Sequence, residues 1–310
     1  KDRSTAHQGG VEGRIMRIVA RNIEFSYNKG AKFAVAALDG VSLEIAEGEF
    51  FGIIGHTGSG KSTFIQHLNA LVPLQKGELF VGDYDLTPSK KKKDKVKLKD
   101  LRKSVGMVFQ YPEYQLFAET VYEDVAFGIR NFLAEKDEKK VEDLVRSALE
   151  KVGLNYAEIK DKSPFALSGG QKRRVAIAGV IVVEPQVLVL DEPCAGLDPV
   201  GKKELWELLH YLHRTTAKTI IVVSHDMNDV AEQCTKAAMF SDGKIIASGK
   251  PKELFSDREL IEKAGLDVPV TAYLKDELSP YLDDLDTDFK IADFSEKLAK
   301  KLNSKGQSKT

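Results

Sequence analysis

The chain has 310 residues, 42% hydrophobic and 30% charged, with a formal net charge of −1, which suits one large globular domain or two modest ones around a sizeable core. The balanced charge leaves no global argument for a nucleic-acid partner, and only two cysteines, Cys194 and Cys234, leave no disulfide framework and fit a reducing cytosol. The longest unbroken apolar stretch, "VAIAGVIVV" (175–183), is far short of the roughly 20 residues a membrane-spanning helix needs, so any membrane role is expected to come through a partner.

Residues 1–15 show no periodicity and read as a disordered tail or an expression remnant, ahead of a domain expected over 16–250. "RIVARNIEFSY" and "ALDGVSLEI" read as strands joined by the turn "NKGAK". "EFFGIIG" is a short buried strand running into the glycine-rich "GHTGSGKST", and "STFIQHLNALV" behind it reads as a helix that Pro73 follows. "GELFVGDYDL" is more strand. The basic run "SKKKKDKVKLKDLRKS" (89–104) is expected to be a solvated loop rather than a nucleic-acid or lipid contact.

"VGMVFQ" is a strand that stops at a polar residue, and about 111–170 reads as a mainly helical lobe containing "ETVYEDVAFGIRNFL" and "KKVEDLVRSALEKVGL". "LSGGQ" opens a further helix, and "PQVLVLDEP" is a buried strand between two prolines. "KKELWELLHYLHRTT" is a helix, "TIIVVSHD" a strand, "MNDVAEQCT" a helix and "KAAMFSDGKIIASG" a hairpin around Asp-Gly. Beyond Pro251, short helical pieces and "DDLDTD" read as a C-terminal extension, 251–310. Strands alternating with helices, mostly as apolar runs, give an α/β class. The expected sheet is mostly parallel and covered on both faces, with an antiparallel part from the opening strands and a helical subdomain.

"GHTGSGKST" fits G-x-x-x-x-G-K-[ST] through Gly55, Gly60, Lys61 and Ser62, between a strand and a helix, which is the context of a phosphate-binding P-loop. The candidate ATP cradle is Gly55, His56, Thr57, Gly58, Ser59, Gly60, Lys61, Ser62 and Thr63. Lys61 would reach the β and γ oxygens and Ser62 would ligate Mg²⁺; His56 reads as a variable position rather than a catalyst. "VLVLDE" ends in two carboxylates at a strand's C-terminal edge. Asp191 is placed to hold Mg²⁺ and Glu192 to accept a proton from an attacking water. Gln110 and His225 end two other buried strands and should emerge on the same edge. They are candidates for orienting water, for the metal in the case of Gln110, and for sensing the γ-phosphate.

"LSGGQ" supplies Ser168, Gly169, Gly170 and Gln171 at a helix N-terminus, where anions bind well, but it has no lysine. An ordinary serine N-cap accounts for Ser168, leaving the two glycines and the glutamine unexplained. If this turn lies away from its own P-loop, the phosphate it meets belongs to a second subunit, and two chains facing head to tail would bury two ATP molecules.

These elements, with "AGLD" and "SHD" in order, resemble the ATP-binding cassette (ABC) family over about Arg17 to Gly249. The resemblance implies a P-loop NTPase (RecA-like) domain that hydrolyses MgATP. It also implies that Tyr27, with Phe33 as rival, stacks on adenine and that Asp198 communicates between two sites. "FQYPEYQLFAETVYEDVAFG", "GHTGSGKST" and "DEPCAGLDP" are similar to the ATPases of energy-coupling-factor (ECF) importers of vitamins or metal ions, and more to the paralogue carrying "YPEYQLF" than to its partner. In that family a second cassette ATPase, a paralogue or a copy, pairs with the first at the cytoplasmic face of the membrane. The pair drives a membrane T component that holds a substrate-binding S component; no nucleic acid takes part.

On this resemblance "YPEYQLF" is the expected coupling surface, with Glu113 and Tyr114 outward and Phe117 packing the lobe, and the stretch after Pro251 resembles the family's C-terminal extension. Cys194 stands where many cassettes have Thr or Ser and reads as a small packing residue. Two other readings stay open: an ATPase of a conventional ABC importer, and a soluble cassette protein of DNA repair or translation. The single cassette, with no long coiled-coil insertion and no zinc-type cysteine cluster, counts against the second.

Overall fold

A computed structural model of the protein describes residues 15–30, 33–88, 97–282 and 285–307. β1 (Ile18–Tyr27) and β2 (Val35–Ile45) pair antiparallel, and β3 (Phe50–Gly55) turns through the glycine-rich loop into α1 (Lys61–Leu68). β4 (Lys76–Val81), β5 (Tyr84–Asp85), α2 (Leu98–Ser104) and β6 (Val105–Val108) follow, then a helical lobe of α3 (Val121–Gly128), α4 (Glu138–Lys151), α5 (Tyr156–Ile159) and α6 (Gly169–Ile181). The chain returns through β7 (Val187–Asp191), α7 (Pro199–Thr215), β8 (Thr219–Ser224), α8 (Met227–Gln233) and the hairpin of β9 (Lys236–Ser241) and β10 (Lys244–Gly249). It closes with α9 (Pro251–Ser256), α10 (Arg258–Lys263), α11 (Val270–Leu278) and α12 (Ile291–Gln307).

Two sheets result. One is antiparallel, in the order β2-β1-β4-β5; the other runs β10-β9-β3-β8-β7-β6, parallel except where β10 folds back on β9. β3, β7 and β8 are buried at every residue, as strands covered on both faces must be. Their period of two divides them between two cores. Phe51, Ile53, Val189 and Ile221 pack with Phe64 and Leu68 of α1 and with the antiparallel sheet. Phe50, Ile54, Leu190 and Val222 pack with the lobe and with α7 and α8. Each large aliphatic or aromatic side chain so buried contributes about 1.5–3 kcal/mol. The apolar residues Leu254, Phe255 and Ile261 of α9 and α10 join the same core as Val230 and Ala231 of α8.

Three local expectations change. α1 stops at Leu68 instead of running to Val72, because Ala70 takes a left-handed conformation (φ 53°) and the N–H groups of Leu71 and Val72 fold back onto the Gln66 carbonyl. In the basic run, residues 98–104 form a helix pinned by buried Leu101, not a loop; residues 89–96 lie outside the described residues. The helix starting at Val121 widens into a π turn over Ile129–Leu133 and ends at Ala134 (φ 54°).

Candidate nucleotide-binding site

Register sets the site. Ile54 pairs with Ser224, Asp191 with Val223 and Val108 with Leu190 across neighbouring parallel strands. The residues that follow, the Gly55 loop, Gln110, Glu192 and His225, therefore leave the sheet side by side at its C-terminal edge, where open α/β sheets bind ligands.

The glycine-rich loop is shaped by close approach. Gly60 has φ 103°, and a Cβ there would lie 2.4 Å from the Ala37 carbonyl, so no other residue fits. Lys61, almost buried, donates from Nζ to the carbonyls of Gly55 (2.6 Å) and His56 (2.9 Å). Burial pushes its pKa down, against the opposing pull of Glu192 and Asp191. A cavity of about 290 Å³ opens beside it, lined by Tyr27, Ala37, Gly58, Gly60, Ser62 and Thr63 among others. His56 and Ser59 do not line this cavity. His56 Nδ1 is 2.9 Å from the Thr57 carbonyl, and Ser59 is wholly buried, its carbonyl accepting from Gly243.

The Tyr27 ring stands edge-on to Phe25 at 4.9 Å, its hydroxyl 3.1 Å from Thr63 Oγ1, which holds it in the cavity lining with the residue 40% exposed. Phe33 is 73% exposed and does not line the cavity.

Asp191 is buried at the end of β7. Burial raises its carboxyl pKa, opposed by a bond from the Ser62 hydroxyl and by the Lys61 ammonium. Glu192 follows with a left-handed backbone, φ 47°, its N–H bonded to the Val223 carbonyl at 3.0 Å. Its Oε2 lies 2.7 Å from His225 Nδ1. An ionised carboxylate can only accept, so the imidazole proton sits on Nδ1. Burial raises the Glu192 pKa and the His225 bond lowers it, with a net rise. Gln110 is exposed, two residues past Val108, and the loop it stands on is fixed by Gln115, whose Oε1 accepts from the Phe109 N–H at 3.1 Å.

Sequence inspection missed the group behind His225. Asp226 caps α8, its Oδ1 accepting from the N–H groups of Asn228 and Asp229. Lys202 of α7 reaches both Asp226 (2.5 Å) and Asp229 (2.8 Å), and Trp206 Nε1 donates to Asp229 (3.2 Å). Asp226 was legible as an N-cap; the lysine, 24 residues away, was not. Asp198 caps α7, its Oδ1 accepting from the Gly201 N–H at 2.7 Å. Cys194 is half-buried, and burial pushes its thiol up to about 12, in keeping with a packing residue.

Ser168 Oγ accepts from the Gln171 N–H (3.3 Å) while Gln171 Oε1 accepts from the Ser168 N–H (3.1 Å), a reciprocal capping box. Simple capping thus accounts for Gln171 as well as Ser168, contrary to the expectation. It does not account for Gly169 and Gly170. Both are exposed, neither has a positive φ, and a Cβ at either would meet nothing within 4 Å. None of the four residues lines the cavity beside Lys61.

At the junction with the lobe an apolar cleft of about 210 Å³ is lined by Leu71, Met107, Phe109, Phe132 and Val180. Tyr111, Tyr114 and Phe127, which follow Phe109 or precede Phe132 in the chain, are exposed, and so is Phe117, at 60%. Pro112 and Leu116 are the residues of this segment that pack inward, so Phe117 does not pack the lobe as expected, whereas Tyr114 is outward and Glu113 half-exposed. Asp124 orients the segment by accepting from the N–H groups of Phe117 (2.9 Å) and Ala118 (3.0 Å). Among the described residues no helix is long and apolar enough to cross a membrane.

A family model described as "ABC transporter" matches residues 38–195. The chain is 47% identical over 259 residues to the energy-coupling factor transporter ATP-binding protein EcfA2 of Clostridium tetani, covering 84% of this chain and 88% of that one. To the protein of the same name from Acetivibrio thermocellus it is 45% identical over 286 residues, covering 92% and 98%. Among solved structures, cbiO1 from Clostridium perfringens, described as part of the ABC transporter complex cbiONQ, aligns at 37% identity with a TM-score of 0.67, over 85% of this chain and all of that one. The ATP-binding cassette MJ0796, solved as a dimer in a post-hydrolysis state with ADP and Pi, aligns at 28% identity with a TM-score of 0.66, over 76% and 98%. The fold class and the family resemblance read from the sequence are both borne out: the chain belongs to the ABC transporter ATPases, among the energy-coupling factor transporter ATP-binding proteins.

Proposed function

We propose that this ATPase works as one half of a head-to-tail cassette dimer, peripheral to the cytoplasmic face of the membrane, powering an ECF-type importer of vitamins or metal ions. The observation that carries the catalytic part is the convergence of Lys61, Ser62, Asp191 and the Glu192–His225 pair at one sheet edge. The P-loop N–H groups and Lys61 bind the phosphates, and Lys61 must leave the Gly55 and His56 carbonyls to do so. Ser62, Asp191 and Gln110 offer hard oxygen donors suited to Mg²⁺, which when bound neutralises charge on the β and γ oxygens. Glu192 takes the proton of the attacking water, while His225 donates from Nδ1 and orients its carboxylate; contact from Nε2 to the γ-phosphate needs a second ring proton. The chemistry is positioning and charge stabilisation. Asp198, at the start of α7, communicates between the two sites.

Tyr27 is assigned the adenine, supported by its place in the cavity lining. Base stacking contributes about 1–3 kcal/mol, so Tyr27→Ala is expected to weaken ATP binding about 5- to 150-fold, with kcat at saturating ATP little changed. Titration calorimetry of Tyr27→Ala beside Phe33→Ala decides between them: a loss confined to Phe33→Ala transfers the role.

The partners are a second cassette ATPase, a membrane T component and, held by it, an S component. The relatives' names and the dimeric neighbour support this assignment, as do the glycines of the Ser168 turn, which leave backbone open to an outside phosphate. The exposed Tyr111, Tyr114 and Phe117 of the segment that follows the cleft-lining Phe109 suit a helix of the membrane partner, and half-exposed Glu113 of the same segment suits a basic residue on that helix. This chain fills the place of the paralogue with "YPEYQLF". Glu113→Arg is expected to reduce co-purification with membrane subunits and substrate uptake severalfold, with the melting temperature unchanged. Undiminished assembly and uptake would remove this surface from the coupling role, and mass spectrometry of the complex purified through this chain identifies the partners.

A further inference from the structure

Glu192 opens a segment whose shape needs outside support. Between β7 and α7 the backbone passes through left-handed conformations at Glu192 (φ 47°) and Gly196 (φ 73°). A side-chain-bearing residue holds such a conformation only where its surroundings over-determine it. Within the segment two turn bonds contribute, Ala195 N–H to the Glu192 carbonyl (3.1 Å) and Leu197 N–H to the Cys194 carbonyl (3.2 Å). The remaining grip comes from another part of the fold. Arg173 of α6 donates from Nη1 to the Pro193 carbonyl (2.7 Å) and from Nη2 to the Ala195 carbonyl (3.0 Å), and the residue is only 8% exposed.

We infer that Arg173 is a positioning residue that holds the backbone after Glu192 in the conformation from which the carboxylate can act. The inference rests on the reading of Glu192 as the general base. A planar guanidinium with two parallel donors fixes two carbonyls at once, one on each side of Cys194, and so sets the course of the chain immediately after Glu192. The action runs through the backbone and not through charge: the groups that act on the Glu192 carboxyl are His225, Lys61 and Asp191, whereas Arg173 is felt at Cys194, between the two carbonyls it grips. The same helix begins at the exposed Ser168–Gln171 turn, two residues before the arginine. A displacement of that turn by an outside nucleotide therefore reaches the Glu192 segment through one side chain, which gives the hydrolytic carboxylate of one site a direct mechanical link to the contents of the other.

The test compares Arg173→Gln, which loses the fork and the charge, with Arg173→Lys, which keeps the charge on a single donor nitrogen but loses the fork, in the assembled cassette dimer. The readouts are melting temperature, MgATP affinity and stoichiometry, and kcat per bound nucleotide. Misplacement of a catalytic group by about an ångström costs up to about 100-fold, so Arg173→Gln is expected to lower kcat per bound nucleotide about 10- to 100-fold with MgATP affinity within about twofold. Arg173→Lys is expected to recover part of the loss and, being the milder change, secures the test if the glutamine variant folds poorly. A residue that merely packs would lower the melting temperature and leave kcat per bound nucleotide unchanged; that outcome overturns the inference, as does a loss confined to MgATP affinity. Glu192→Gln measured alongside separates the two levels. Inactive Glu192→Gln with fully active Arg173 variants refutes only the positioning role, whereas active Glu192→Gln refutes the base and the positioning role with it.

Discussion

Glu192→Gln is expected to bind MgATP with near-normal affinity, accumulate as a closed dimer and hydrolyse about 10²–10⁴-fold more slowly, the usual contribution of a general base. The amide is nearly isosteric with the carboxylate and can still meet His225 Nδ1, so the loss falls on proton transfer and not on the shape of the site. The pH dependence supplies an independent signature. Burial holds the Glu192 pKa above the ordinary 4.5, even against the His225 bond. The base works deprotonated, so kcat/KM should fall as pH drops through this raised value, with its acid limb above 4.5. In Glu192→Gln that limb should vanish from the residual activity. Phosphate release and gel filtration with ATP measure both; near-normal hydrolysis with the limb intact would remove Glu192 from the role of base.

The parts of the site that were legible in the sequence are those whose geometry is local. "GHTGSGKST" carries its strand, turn and helix in one segment. "VLVLDE" and "TIIVVSHD" announce buried strands by unbroken apolar runs ending in polar residues, and parallel pairing brings those ends together without further information. What stayed hidden depends on contacts across the fold. Arg173 grips carbonyls 20 and 22 residues away, and Lys202 reaches acids 24 and 27 residues away; no period or local motif encodes either.

Other misses were failures to weigh one residue against its neighbours. The five charged residues of "KLKDLRKS" and the five lysines upstream of it outweighed a single Leu101 that is enough to pin a helix turn. The Ser-x-x-Gln spacing of 168–171 was a capping box in plain view, yet Gln171 read more readily as a ligand. Between Leu116 and Phe117, one step in the chain decides which side chain enters the lobe, and the 3₁₀ turn at Pro112–Gln115 shifts that phase in a way the composition does not record.

Lys61→Ala and Ser168→Arg are each expected to abolish most hydrolysis when present in both halves of a self-paired dimer, and to complement when mixed. Removing Lys61 strips the charge-assisted contacts to the phosphates; truncating one partner of a buried charged hydrogen-bonded pair costs about 2–5 kcal/mol, or about 30- to 5,000-fold in nucleotide affinity. Arginine at position 168 destroys the reciprocal cap with Gln171 and fills the open approach to Gly169 and Gly170 with a long side chain. If the Ser168 turn serves the nucleotide on the partner's P-loop, a mixed dimer has one site built from two damaged halves and one built from two intact halves. Random mixing of equal amounts makes half of the dimers mixed, each with one working site of two, so turnover should return to about a quarter of the native value. If the turn served its own P-loop, each protomer in the mixture would still carry one damaged site and no activity would return. Phosphate release from the mixture, with each pure variant as its own baseline, separates these outcomes. Absence of recovery, with mixed dimers demonstrated by differential tagging, would end the cross-subunit assignment.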